Sequence, residues 1–114
     1  MKNNIKSSKA KGRRLQNWVR DKLREYFPSL EDDDIKSQTM GMTGEDIVLS
    51  PAAKKLIPYS FECKNQERLQ VWKALQQAED NSEDRTPVLV MKRNHSNTYA
   101  IIPFNKLMEL IDDR

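Results

Sequence analysis

One cysteine, one histidine and three glycines are all that this 114-residue chain has of those residue types. A lone thiol, Cys63, cannot build an intramolecular disulfide framework or a cysteine-rich zinc site, and it suits a reducing compartment such as the cytoplasm. The longest uncharged apolar runs, 87–91 and 99–104, are far too short to span a bilayer, so no membrane is expected. Lys2 and Lys6 are not followed by an apolar segment, and no signal peptide is expected. Membrane spans, disulfide-stapled mini-proteins and zinc fingers are thereby excluded.

What is present is charge. Charged residues make up 32% of the chain and hydrophobic ones 37%, polar for a globular domain yet not poor enough for wholesale disorder. At 13.4 kDa the chain fits one domain, with a folded surface of about 6,500 Å² by size scaling. The net charge of +3 hides an asymmetry. Residues 1–25 hold nine Lys/Arg against two acidic residues, and the remainder holds eleven against fifteen. A basic segment beside an acidic body is the pattern of a protein that meets phosphate, although a charge run alone reads first as a solubilising tail.

Residues 1–9 read as a disordered basic arm and 10–114 as one domain. From Ala10, Leu15, Trp18, Val19, Leu23, Tyr26 and Phe27 recur at helical spacing until Pro28. The opposite face carries Arg13, Arg14, Arg20 and Arg24. An acidic loop (31–34), a weak strand (35–40), a glycine turn (41–44) and a strand (47–49) follow. Residues 50–55 read as a turn. In the strand 57–64, Tyr59, Phe61 and Cys63 alternate with Ser60, Glu62 and Lys64. A helix over 67–80 presents Leu69, Trp72, Leu75 and Ala78 as its stripe, which assigns Trp72, like Trp18, to the core. Two strands (88–92 and 99–102) flank a hairpin turn at 94–97, and a last helix covers 105–112. The order predicts an α/β domain with helices packed on one sheet.

Glu62 and Lys64 share one strand face, and Asp46 opens the preceding strand. Were those two strands a hairpin, Asp46 would approach Glu62, and two converging carboxylates make a hard oxygen site suited to Mg²⁺ or Mn²⁺. A neighbouring lysine can orient water or offset charge growing on a phosphate. Glu-x-Lys alone is common, and on that pair by itself a surface ion pair is the favoured reading. The conjunction is more specific: Gly44-Glu-Asp46, then Phe61-Glu-Cys-Lys64, then at once a helix containing Gln77.

In that conjunction the chain resembles the PD-(D/E)XK nuclease superfamily, in particular small phage-type nucleases and archaeal Holliday junction resolvases, over roughly residues 10–104. The resemblance implies a restriction-endonuclease-like core, with a mixed central sheet of about four to five strands flanked by helices. It implies Asp46 and Glu62 as ligands of Mg²⁺ (or Mn²⁺), with the peptide carbonyl of Cys63 as a further ligand. Lys64 would be the catalytic lysine, and Gln77 would lie near the site. The implied function is a divalent-metal-dependent endonuclease selective for DNA structure such as a branch or junction. It would work in the cytoplasm (the host's, were the source viral) and as a homodimer if it cuts two strands symmetrically. Lys11, Arg13 and Arg14 would contact phosphate. Two departures stand out. Gln16 occupies the first-helix position where many members carry glutamate, and Glu45 stands where a proline often precedes the aspartate, read here as pointing away. Gln16 favours the alternative, a catalytically weak or inactive nucleic-acid-binding domain of the same fold.

The remaining candidates read as structural. His95 sits in a polar turn and Cys63 alternates with core residues, while a contact to DNA backbone and a solvated hairpin explain Lys92 and Arg93 equally well. Ser37 and Met40 stand on the approach to the cleft.

Overall fold

The structure, a computed structural model, describes residues 5–113. Helix α1 spans Ile5–Tyr26, so it begins within the segment expected as an arm; residues 1–4 lie outside the described residues. Leu15 and Val19 on this helix are buried and Leu23 packs against them, the i, i+4 row that a core-facing helix requires. Trp18, expected in the core, is about half exposed with Lys22 over its ring. Arg24 is drawn off the basic face and donates to the carbonyls of Ile35 and Asp32, both at 3.0 Å.

A 3-10 turn at Asp32–Asp34 leads into β1 (Ile35–Ser37), which pairs antiparallel with β2 (Ile47–Leu49). The segment 50–55, read as a turn, is a short helix, α2 (Pro51–Leu56). Ser50 caps it, accepting the Ala53 N–H at 3.1 Å, and Pro51 starts it with a pre-set φ. Strand β3 (Tyr59–Asn65) runs parallel to β4 (Thr86–Lys92) through the crossover helix α3 (Val71–Asp80). Strand β5 (Tyr99–Ile101) returns antiparallel to β4, and α4 (Phe104–Asp112) closes the chain.

This is an α/β fold, but the five strands form two ladders, β1-β2 and β3-β4-β5, and not one central sheet. Nor do β2 and β3 form a hairpin, because α2 intervenes and each strand has another partner. A backbone bond from Asp46 N–H to the Phe61 carbonyl, 3.0 Å, ties the start of β2 to the free edge of β3.

Helices cover both faces of the three-stranded sheet. Cys63, Val88 and Val90 pack with Leu15, Val19 and the small ladder's Ile35 and Ile47. The opposite face, with Ser60, Glu62 and Leu89, lies under α3, whose Ala74 and Ala78 are buried. Small residues let that helix approach closely, and Trp72, expected on its core stripe, is 85% exposed. The molecule is elongated, 49 × 31 × 25 Å, and its accessible surface of 8306 Å² exceeds the ~6,500 Å² of a compact monomer of this mass.

Candidate active site

Where the strand start at Asp46, the second half of β3, the first half of α1 and the end of α3 meet, they enclose an open cleft of about 960 Å³. Asp46, Glu62, Lys64 and Gln77, all singled out from the sequence, line it, together with Cys63 and Lys11. Glu62 is only 2% exposed, half-way along a strand whose outer face α3 covers. The Lys64 ammonium lies 3.7 Å from Glu62 Oε2, as two residues on one strand face should. Asp46 is half-buried, and its Oδ2 accepts the Cys63 N–H at 2.7 Å.

The electrostatics follow from that crowding. Burial raises the pKa of Glu62 to about 7, and the nearby Asp46 carboxylate adds to the rise while Lys64 and Asn81 oppose it. Asp46 is also raised, chiefly by burial, against the pull of the Cys63 N–H and of Lys64. Two carboxylates buried side by side, with one lysine between them and neutrality, form a pocket short of positive charge. The Cys63 thiol is buried and pushed well up by the same burial and by both carboxylates, which fits an inert thiol.

The backbone of Cys63 also bears on the cleft. On a strand, a residue's N–H and C=O point to the same edge, alternating with its neighbours. The Phe61 carbonyl takes the Asp46 N–H and the Cys63 N–H reaches Asp46, so this edge of β3 faces Asp46. The Cys63 carbonyl is directed there too. Among the described residues no three His, Cys, Asp or Glu side chains converge, so an ion here would rest on two carboxylates, a carbonyl, water and substrate oxygens. Mg²⁺ accepts such a set.

Gln16 has a different task from the one its position suggested. It is buried, and its amide donates to the carbonyls of Asp46 and of Gln38 (3.0 Å), pinning the β1 and β2 ends around the site. Glu45 points away from Asp46, into a buried ion pair with Arg85, and accepts from Ser60 Oγ at 2.9 Å. Sequence reasoning missed this partner, 40 residues away. It also missed Asn81, whose side chain donates to Glu62 Oε1 (3.4 Å) and to the Gly44 carbonyl (3.2 Å).

Of the three expected phosphate contacts, Lys11 lines the cleft. Arg14 lines a separate shallow groove beside Trp18, and Arg13 is exposed on the helix. Lys9 and Arg68 join Lys11 on the cleft wall. Lys9 was hidden by reading residues 1–9 as an arm, yet Ser8, Gly12 and Gln16 already repeat at i, i+4 along one polar helix face. Met40 lines the cleft as expected, whereas the Ser37 hydroxyl is spent on Asn17 Oδ1, 2.8 Å. Lys92 caps its own turn through the Ser96 carbonyl, 2.9 Å, and His95 is part of that turn.

No protein-family model, no curated protein and no solved structure matches the chain.

Proposed function

We propose that this protein is a divalent-metal-dependent endonuclease of PD-(D/E)XK type that hydrolyses DNA phosphodiester bonds. The observation that carries the reading is the convergence of Asp46, the buried Glu62 and Lys64 in one open cleft, whose wall carries Lys9, Lys11 and Arg68 beside Glu67 and Asp80. Asp46 Oδ1, the Glu62 carboxylate and the Cys63 carbonyl would hold Mg²⁺ or Mn²⁺, whose positive charge offsets what raises both carboxyl pKa values. A bound ion supplies Lewis acidity toward the scissile phosphate and a water acidic enough to attack it.

The chain's own residues do the rest. Lys64 is held beside Glu62 with its ammonium toward the cleft, where it steadies the attacking oxygen or the charge growing on phosphate. Asn81 holds Glu62 Oε1 and the Cys63 N–H holds Asp46 Oδ2, which leaves Asp46 Oδ1 open to an ion and Glu62 Oε2 facing both the cleft and Lys64, 3.7 Å away. Lys9, Lys11 and Arg68 take flanking phosphates, contacts that fix position without reading sequence. A domain this small leaves little room for a separate base-reading element, which favours selection of DNA structure, such as a branch or junction.

The test is cleavage of labelled linear duplex, single-stranded, flap and four-way-junction DNA with Mg²⁺, Mn²⁺ or EDTA. Wild type should cut only with metal, and Glu62→Ala should lose at least 10³-fold in rate. Salt-sensitive binding without any cutting would move the reading to a nucleic-acid-binding domain that retains the fold alone.

A further inference from the structure

A shallow groove of about 640 Å³ lies on the α1 face of the sheet, separate from the cleft but adjoining it at Asn65, which lines both. The sheet register explains its floor. Asn65 and Lys92 are partners at the ends of β3 and β4, and each stands two residues past a core residue, Cys63 or Val90, that meets α1. Alternation therefore turns both toward the helix. The Asn65 amide donates to the Lys11 carbonyl at 3.2 Å, which fixes the floor to α1. Arg14 and Trp18 of α1 form a wall, and Asn97 and Thr98, leading into β5, also line the groove. Lys11 in the cleft, then Arg14 and Trp18 in the groove, follow at i, i+3 and i+7 along one helix face.

We infer that this groove is a second nucleic-acid subsite, taking an unpaired stretch of DNA strand with one base stacked on Trp18. A single exposed tryptophan needs no explanation by itself, but the setting of this one selects the occupant. The indole is 47% exposed, and Lys22, 5.6 Å over its ring, adds a cation without lining the groove. Among the described residues that line the groove, Arg14 and Lys92 are cationic and none is acidic. The Lys92 ammonium spends two of its three protons on the carbonyls of Arg93 and Ser96, leaving one for an anion. A flat ring for a base, cations for phosphates and small amides and hydroxyls for base edges are what a single strand requires. In a duplex each base is already stacked, so only an unpaired one can offer a face to the indole. The inference rests on the reading of the cleft as a DNA site. Asn65 stands three residues past Glu62, about 10 Å along β3, so a strand with its phosphate at the carboxylates reaches the groove within a few nucleotides. A site so built favours cutting beside unpaired DNA, as at a flap.

The test reads binding without metal, so it fails separately from the nuclease reading. In a Trp72→Phe background, harmless to the fold because Trp72 is 85% exposed, Trp18 is the only tryptophan. A single strand of about 15 thymidines, titrated in EDTA, should quench its fluorescence, and a blunt duplex of the same length should not. Trp18→Ala should weaken single-strand binding about ten-fold, the value of one stacked base, and leave duplex binding within about two-fold. Trp18→Phe, which keeps a flat ring, should recover most of the loss. Unchanged Trp18 emission at saturating strand, single-strand affinity unaltered by Trp18→Ala, or no single-strand binding at all would each overturn the inference. Quenching in a protein that cuts nothing would support the groove and sink the nuclease reading, and cutting without quenching would do the reverse.

Discussion

At the scale of single residues, Glu62 is where burial and chemistry conflict. Its folded pKa of about 7 lies above its ordinary value, so the folded protein binds more protons than the unfolded chain between roughly pH 4.5 and 7. Without metal, stability therefore falls as pH rises through that window. Glu62→Gln removes the effect and should stabilise the metal-free protein by about 1–2 kcal/mol at pH 8, solvent in the cleft damping the full shift, with no gain at pH 4. Thermal melts at the two pH values read this directly. Arg85 is the opposite case. Its guanidinium is the buried partner of Glu45, so Arg85→Ala strands a buried carboxylate and should cost about 3 kcal/mol in denaturant unfolding.

At the scale of elements, the strands and helices were largely legible because their signals are local. Alternation over 57–64 and helical spacing over 15–27 both reflect which side meets the core. What failed was partner choice. Trp72 falls at a helical repeat, but α3 turns Ala74 and Ala78 to the sheet, and helix geometry then places the indole on the opposite, solvent side. The six-residue α2 has no apolar period long enough to detect; only Ser50 and Pro51 mark its start. Asp46, Glu62 and Lys64 were legible as a set, while Asn81, Gln16 and Arg85 act through contacts 19 or more residues away that no spacing announces. Glycines carry a prediction at this scale. Gly12 lies inside α1, and an added Cβ would meet Met40 Cε at 3.5 Å, an ordinary contact. Gly12→Ala should stabilise by about 0.5–1 kcal/mol in denaturant unfolding. Gly44, with φ +101° beside Asp46, should instead lose about 1 kcal/mol or more on the same change.

At the scale of the whole molecule, charge and apolar surface are sorted to different regions. Basic residues of α1 and the loop after β3 flank the carboxylates, and an exposed apolar stripe lies on α4. On the nuclease reading, Lys9, Lys11 and Arg68 contact phosphates, so DNA binding should weaken with salt, and each of Lys9→Ala, Lys11→Ala and Arg68→Ala should reduce the slope of log affinity against log salt by about one. Fluorescence anisotropy between 50 and 200 mM salt measures it. The sheet supplies the rigid edge on which these groups are held, since Asp46 is fastened to β3 through both its N–H and its carboxylate. Every step of the proposed hydrolysis requires that Asp46 and Glu62 share one cation. Isothermal calorimetry of Mn²⁺ with wild type at pH 7 should give one site per chain, with protons released because Glu62 is part-protonated there. Asp46→Asn and Glu62→Gln should each abolish that heat. Absent binding in the wild type, or undiminished binding in both variants, would contradict the account.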